Sequence, residues 1–95
     1  MCPADIEQVT CAHPDIAEVA VVGARSRKWG ETPVAIVVLR HGCKPDKDAL
    51  MQWTNARVGK QQRIADVLWR TALPRNANGK VLRRELRAEL AGLEY

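Results

Sequence analysis

Glu18-Val19-Ala20-Val21-Val22-Gly23 and, across the segment Ala24 to Thr32, Pro33-Val34-Ala35-Ile36-Val37-Val38-Leu39-Arg40 decide the fold. Both runs are rich in β-branched apolar residues and barely alternate. That is the pattern of strands covered on both faces. Gly23 closes the first run. Pro33 opens the second, where its missing N–H removes no ladder bond. Ala24 to Thr32 reads as a polar loop carrying Arg25, Arg27, Lys28, Trp29, Gly30 and Glu31, short enough to join the strands as an antiparallel hairpin.

Toward the N-terminus, Pro3 to Cys11 predicts a helix. Pro3 suits a first turn, Asp5 and Glu7 complement the dipole, and Ile6, Val9 and Thr10 form a partial apolar face. His13-Pro14-Asp15 ends it. Toward the C-terminus, His41-Gly42-Cys43-Lys44-Pro45 is a turn. Asp46 to Val58 is a second helix, capped by Asp46 or Asp48, with Leu50, Trp53 and Thr54 at helical spacing. Met51, Trp53 and the leucines are assigned to the core. Ala65 to Arg70 is a third strand, with Val67 and Trp69 on one side. Leu82, Leu86, Leu90 and Leu93 then mark one face of a last helix. The order α-β-β-α-β-α gives an α+β fold, a small three-stranded sheet covered by helices. The 95 residues suffice for a single domain with a modest core, without repeats or an internal linker.

Lys and Arg number 15 against 11 Asp and Glu, a formal charge of +4. The excess is concentrated in Arg57, Lys60, Arg63, Arg70, Arg75, Lys80, Arg83, Arg84 and Arg87, opposed there only by Asp66 and Glu85. That half should attract phosphate-bearing ligands or nucleic acid. A nucleic-acid groove also wants aromatic platforms among its arginines. Phe is absent and Trp69 reads as inward, so nucleic acid is disfavoured. Cys2, Cys11 and Cys43 are an odd count without C-x-x-C spacing, which argues against a disulfide framework or zinc and for reduced thiols in the cytoplasm. The N-terminus lacks a secretory signal pattern, and no apolar run approaches the ~20 residues of a membrane span.

The chemistry is concentrated in Leu73-Pro74-Arg75-Asn76-Ala77-Asn78-Gly79-Lys80. Pro74 keeps Leu73 extended and ends the strand path. Asn76, Asn78 and Gly79 tolerate φ > 0 and build turns. Lys80 follows where the sequence predicts the helix to start, and there the dipole does not favour a cation. A lysine there makes sense if an anion arrives from elsewhere and meets the ammonium and exposed backbone N–H groups together. Gly79-Lys80 does not complete a G-x-x-x-x-G-K-[ST] phosphate loop, because Pro74 and Val81 occupy the glycine and hydroxyl positions. The ordinary reading of an isolated Asn-Gly-Lys is an exposed turn with a solvated lysine. Arg83 and Arg87 read as solvent-side charge on the last helix. Trp29-Gly30-Glu31 is open between a turn folded onto the sheet and a binding anchor. His13 and His41 read as solvated.

Taken in order, Pro3-Ala4-Asp5-Ile6-Glu7, His13 through Gly23, Trp29-Gly30-Glu31, Val37-Val38-Leu39-Arg40, Leu73-Pro74-Arg75-Asn76 and Asn78 through Leu86 resemble the C-terminal domain of the AMP-forming acyl-CoA synthetases. These belong to the adenylate-forming ligase superfamily of acyl- and aryl-CoA ligases, peptide-synthetase adenylation domains and luciferases. The resemblance implies a mobile lid on a large AMP-binding domain. It also implies a two-step reaction. A carboxylic acid and ATP, accompanied by Mg2+, give an acyl-adenylate and pyrophosphate; the CoA thiol then displaces AMP. It implies that Lys80 is catalytic in adenylation, that Arg75, Asn78 and Gly79 support the lysine loop, and that Trp29, Gly30, Glu31 and Arg63 face CoA. The sequence departs from the family at Cys2, where tyrosine is usual, at Asp5, where glutamate is usual, and near Lys60, where a proline often occurs. The phosphate loop, adenine pocket, acyl tunnel and metal ligands are expected in an N-terminal domain outside this chain, so no activity is expected from the chain alone. A non-catalytic binding module or remnant with this fold is the competing reading.

Overall fold

The computed structural model describes residues 3–28, 30–59 and 63–95. Helix α1 (Pro3–Cys11) is followed by β1 (Ile16–Ser26), β2 (Gly30–Leu39), α2 (Lys47–Asn55), β3 (Asp66–Trp69) and α3 (Arg83–Glu89), the expected order. The sheet runs β1-β2-β3. β1 and β2 pair antiparallel, with Val21 opposite Ala35 and Ser26 opposite Gly30, and β3 lies parallel to β2, with Asp66 beside Val34 and Trp69 beside Val37.

Alternation sorts the apolar residues into two cores, as a pleated strand requires. One face carries Ala20, Val22, Val34, Ile36 and Val38 against Leu73, Leu86 and Leu90. The other carries Val21, Ala35, Val37 and Val67 against Ile6, Leu50 and Ile64. Thus α3 covers one face, and α1 and α2 the other. This explains why both hairpin runs are apolar throughout.

The segment expected to be a polar loop is mostly sheet. β1 extends to Ser26 and β2 begins at Gly30, so Arg25 and Glu31 are paired strand residues and Ala24 and Thr32 are buried. Charged side chains disguised strand ends whose other face is covered. Pro33 consequently lies inside β2. It is tolerated because its backbone points toward the β3 side, where its carbonyl accepts from Ala65 (2.8 Å) just before that strand begins.

The second helix is shorter than the span Asp46 to Val58. Asp46 caps it by accepting from the Ala49 N–H at 3.0 Å. Trp53 is not core: it is half-exposed, with the His13 ring edge-on at 4.9 Å and the Arg57 guanidinium 4.0 Å from its centroid. The last helix is also shorter. Leu82 is its N-cap, Leu90 its buried C-cap, and Leu93 lies beyond it, exposed.

As an edge strand, β1 presents unpaired backbone groups. Two devices cover them. At Val21, whose partner Ala35 faces β3, Glu7 Oε1 accepts the N–H (2.8 Å) and Arg83 Nη1 donates to the carbonyl (3.0 Å). At Arg25 and Arg27 the C-terminal residue adds a short parallel rung: Tyr95 N–H donates to the Arg25 carbonyl (2.9 Å) and Arg27 N–H to the Tyr95 carbonyl (2.8 Å).

Candidate functional site

The lysine loop is a closed structure stapled by one side chain. Asn76 Oδ1 accepts from the N–H groups of Asn78 (2.9 Å) and Lys80 (3.0 Å). The Asn76 N–H donates to the Lys80 carbonyl (2.9 Å), and Gly79 N–H donates to the Asn76 carbonyl (3.0 Å). An asparagine that binds backbone N–H groups two and four residues on makes a turn without leaving ordinary φ. Within this loop only Gly79 takes positive φ, at 82°. Arg75 and Val81 bridge the base, and Leu82 N–H donates to the Pro74 carbonyl at 2.8 Å.

Lys80 therefore sits on the return arm of a tight loop, before the N-cap rather than at the helix start. Exposed backbone N–H groups were expected beside the ammonium, but within the loop those of Asn78, Gly79 and Lys80 are all used internally. What remains is the ammonium. Lys80 is exposed, and its side chain makes no hydrogen bond or ion pair with the described residues.

Arg75 ties this loop to β1. Nη1 donates to the Gly79 carbonyl (2.7 Å) and Nη2 to the Glu18 carboxylate. Asn78 contributes its backbone N–H and is otherwise exposed. Arg83 is not plain surface charge. It pairs through both nitrogens with Glu7, at 2.9 Å for Nη2 to Oε2, and this partner holds its pKa above the usual guanidinium value. Arg70 pairs with Glu89. Three members of the basic half are thus neutralised, leaving Arg57, Arg63, Lys80, Arg84 and Arg87 without an ion pair among the described residues.

The other candidates lie at the opposite end of the sheet. Gly30 takes φ 79° and opens β2. Glu31 is exposed, and its side chain lies over Gly23, where an added Cβ would fall 2.0 Å from its carboxylate oxygen. Arg63, also exposed, precedes Ile64, which is held by Asn55 through both backbone groups (2.8 and 3.3 Å). Since Ala65 bonds to Pro33, Arg63 belongs to the same end as Gly30 and Glu31. Trp29 and Lys60 lie outside the described residues. The lysine loop meets β1 at Glu18, whereas the hairpin turn begins after Ser26. At ~3.3 Å per residue that run spans roughly 26 Å, a large part of the longest molecular extent, 36 Å.

At the hairpin end, Tyr95 Oη donates to Asp66 Oδ2 (2.7 Å), while Asp66 Oδ1 takes Lys47 Nζ (2.7 Å) and its neighbour's N–H. Burial alone would raise the Asp66 pKa, but the bonds from Lys47, Tyr95 and Val67 outweigh it and hold the carboxyl below its usual range. Burial and the adjacent carboxylate push Tyr95 up to about 12.

Asn76 was expected only as one of several turn residues, and Glu18 and the Glu7–Arg83 pair were not singled out from sequence. The Asn76 turn had a local signal, an asparagine two residues before another turn residue. The glutamates had none. Among the described residues, no three His, Cys, Asp or Glu side chains gather as metal ligands, and no helix is long and apolar enough to cross a membrane. Cys11 and Cys43 are free thiols.

Residues 5–80 match the family described as the AMP-binding enzyme C-terminal domain. The 2-succinylbenzoate–CoA ligase of Geobacillus kaustophilus is 41% identical over 85 residues, covering 90% of this chain and 17% of the relative. A Mycobacterium tuberculosis fatty acyl CoA synthetase superposes with a TM-score of 0.86 at 32% identity, over 98% of this chain and 18% of that one. ATP-bound MatB from Rhodopseudomonas palustris gives 0.86 at 30% identity, over 92% and 17%. The chain thus spans about a sixth of the length of the relatives it matches, with the same helices around the same sheet. It belongs to the family of AMP-binding enzyme C-terminal domains found in the acyl- and aryl-CoA ligases.

Proposed function

We propose that this domain is the mobile lid of an AMP-forming acyl- or aryl-CoA ligase and supplies Lys80 to carboxylate adenylation. The observation that carries the reading is an exposed ammonium, unpaired among the described residues, on a loop whose Asn78, Gly79 and Lys80 N–H groups are satisfied internally. Such a group is available to an anion brought by a partner. In a site closed off from water, a point charge on a flexible stem stabilises the carboxylate and the α-phosphate as negative charge builds between them. The partner is an AMP-binding domain, joined to this one or separate, which holds ATP, the acid and the ligands of the accompanying Mg2+. A cytoplasmic setting suits these substrates and the free thiols Cys11 and Cys43.

Thioester formation falls to the other end of the sheet. Gly30, Glu31 and Arg63, with Trp29, would border the CoA path there, Arg63 meeting its phosphates. With roughly 26 Å between Glu18 and Ser26, one reaction centre meets one end at a time. The lid must therefore turn between adenylation and attack by the CoA thiol.

The test is a chimera in which this chain replaces the matching segment of the Geobacillus 2-succinylbenzoate–CoA ligase. ATP–pyrophosphate exchange driven by 2-succinylbenzoate should fall about a hundredfold or more with Lys80→Ala, the loss typical of removing one transition-state charge partner. Equal exchange by the two chimeras refutes the catalytic role.

A further inference from the structure

We propose that Glu18 and Glu7 are positioning residues for Lys80, acting through Arg75 and Arg83 on either side of the lysine loop. The proposal rests on the catalytic reading of Lys80 and adds what fixes its place. Internally the loop is stapled, and its apolar attachment is confined to its base. Leu73 is buried at its start, and Val81, directly after Lys80, is partly buried and packs on the same core as Leu86. Apolar contact at the base alone does not set the direction in which the exposed tip points.

The two ion pairs do. Arg75 holds the Gly79 carbonyl with one nitrogen and the Glu18 carboxylate with another, so the residue before Lys80 is tied to the start of β1. Three residues after Lys80, Arg83 grips Glu7 with two nitrogens and the Val21 carbonyl with one of them. Both arginines reach the same edge strand, Arg75 through Glu18 and Arg83 through the Val21 carbonyl and through Glu7 of α1, one on each side of the loop. Two planar, directional contacts fix an orientation that one could not. A catalytic ammonium needs this, because a displacement of about 1 Å can cost on the order of a hundredfold in rate.

Two measurements test the proposal. In the 95-residue chain, Glu18→Ala should lower the backbone 15N order parameters of residues 76–80 together, because the staple survives while its tether is gone. Glu7→Gln, which keeps an acceptor for Val21 and so preserves the fold, should do so more weakly. Unchanged order parameters in both variants overturn the proposal without touching the role of Lys80. In the chimera, each variant should reduce kcat for adenylation, by about tenfold for Glu18→Ala. KM for ATP and the rate of thioester formation from supplied acyl-adenylate should stay as they were. A loss of stability alone would not separate the two half-reactions. If Lys80→Ala abolishes exchange while both glutamate variants retain it, the anchors are not positioning residues. If Lys80→Ala retains exchange, the catalytic reading fails first.

Discussion

Replacing Glu7 by alanine should destabilise the domain by about 2–4 kcal/mol, and the structure says where the loss arises. The Glu7 side chain is 17% exposed and Arg83 is 41% exposed. The arginine can regain water when its partner leaves, so its share is that of a partly screened surface pair, about 0.5–1 kcal/mol. Val21 is different, being 1% exposed. Its N–H points away from the sheet and loses its acceptor, and an unsatisfied buried amide costs about 1–3 kcal/mol. Glu7→Gln keeps an oxygen where the N–H needs one and removes only the charge, so it should cost under about 1 kcal/mol. Urea unfolding separates the two. With a slope near 1 kcal/mol/M for so small a chain, the midpoint should drop by about 2 M or more for alanine and by well under 1 M for glutamine. Equal losses in the two variants, or none in either, would show that the edge of β1 does not depend on this acceptor.

Tyr95 is the only tyrosine, so its ionisation can be read alone by absorbance. It should titrate with a midpoint near 12, and Asp66→Asn should lower that midpoint only in part, because burial, the larger cause, remains. The sign for stability follows from a raised folded-state pKa. The Tyr95 contribution is complete below about pH 10 and is lost as pH rises through about 12. Asp66 is shifted the other way, so its contribution is present above about pH 4 and is lost on acidification. A midpoint near 10 in the unmutated chain would mean that neither the burial of Tyr95 nor its bond to Asp66 persists in solution. Gly79→Ala should cost about 1 kcal/mol through backbone conformation alone, because φ is 82° and an added Cβ meets nothing within 4 Å. Asparagine there should cost less, since it visits the left-handed region more readily. Equal thermal midpoints for Ala, Asn and Gly at this position would refute the reasoning.

The sheet was legible because hydrophobicity reports burial directly. Val34 to Val38 is apolar at every position since both faces of β2 are covered, and neither helix layer needed to be known for that run to read as a strand. Its ends were less legible for the same reason. Arg25 and Glu31 are exposed although they belong to the ladder, so their side chains say loop while their backbones pair. Trp53 shows the converse error. A large aromatic at helical spacing reads as interior, yet Arg57 one turn on and His13 from the turn after α1 provide it with a polar clamp at the surface.

The site divides along a different line, the sequence separation of its contacts. Whatever closes within a few residues could be read: the turn at Asn76, the left-handed glycine, the break imposed by Pro74. The contacts that aim the loop are far apart, 57 residues between Glu18 and Arg75 and 76 between Glu7 and Arg83. Locally, Glu7 looks like a dipole-complementing residue in a first helix and Arg83 like solvent-facing charge in a last one. Both local readings are physically sound, and each describes half of a pair that exists only after α1 and α3 have packed on opposite faces of the sheet. A charged side chain at an edge strand therefore carries two meanings that one sequence cannot separate. Only the backbone group it satisfies distinguishes them, and for Glu7 that group is the outward N–H of Val21.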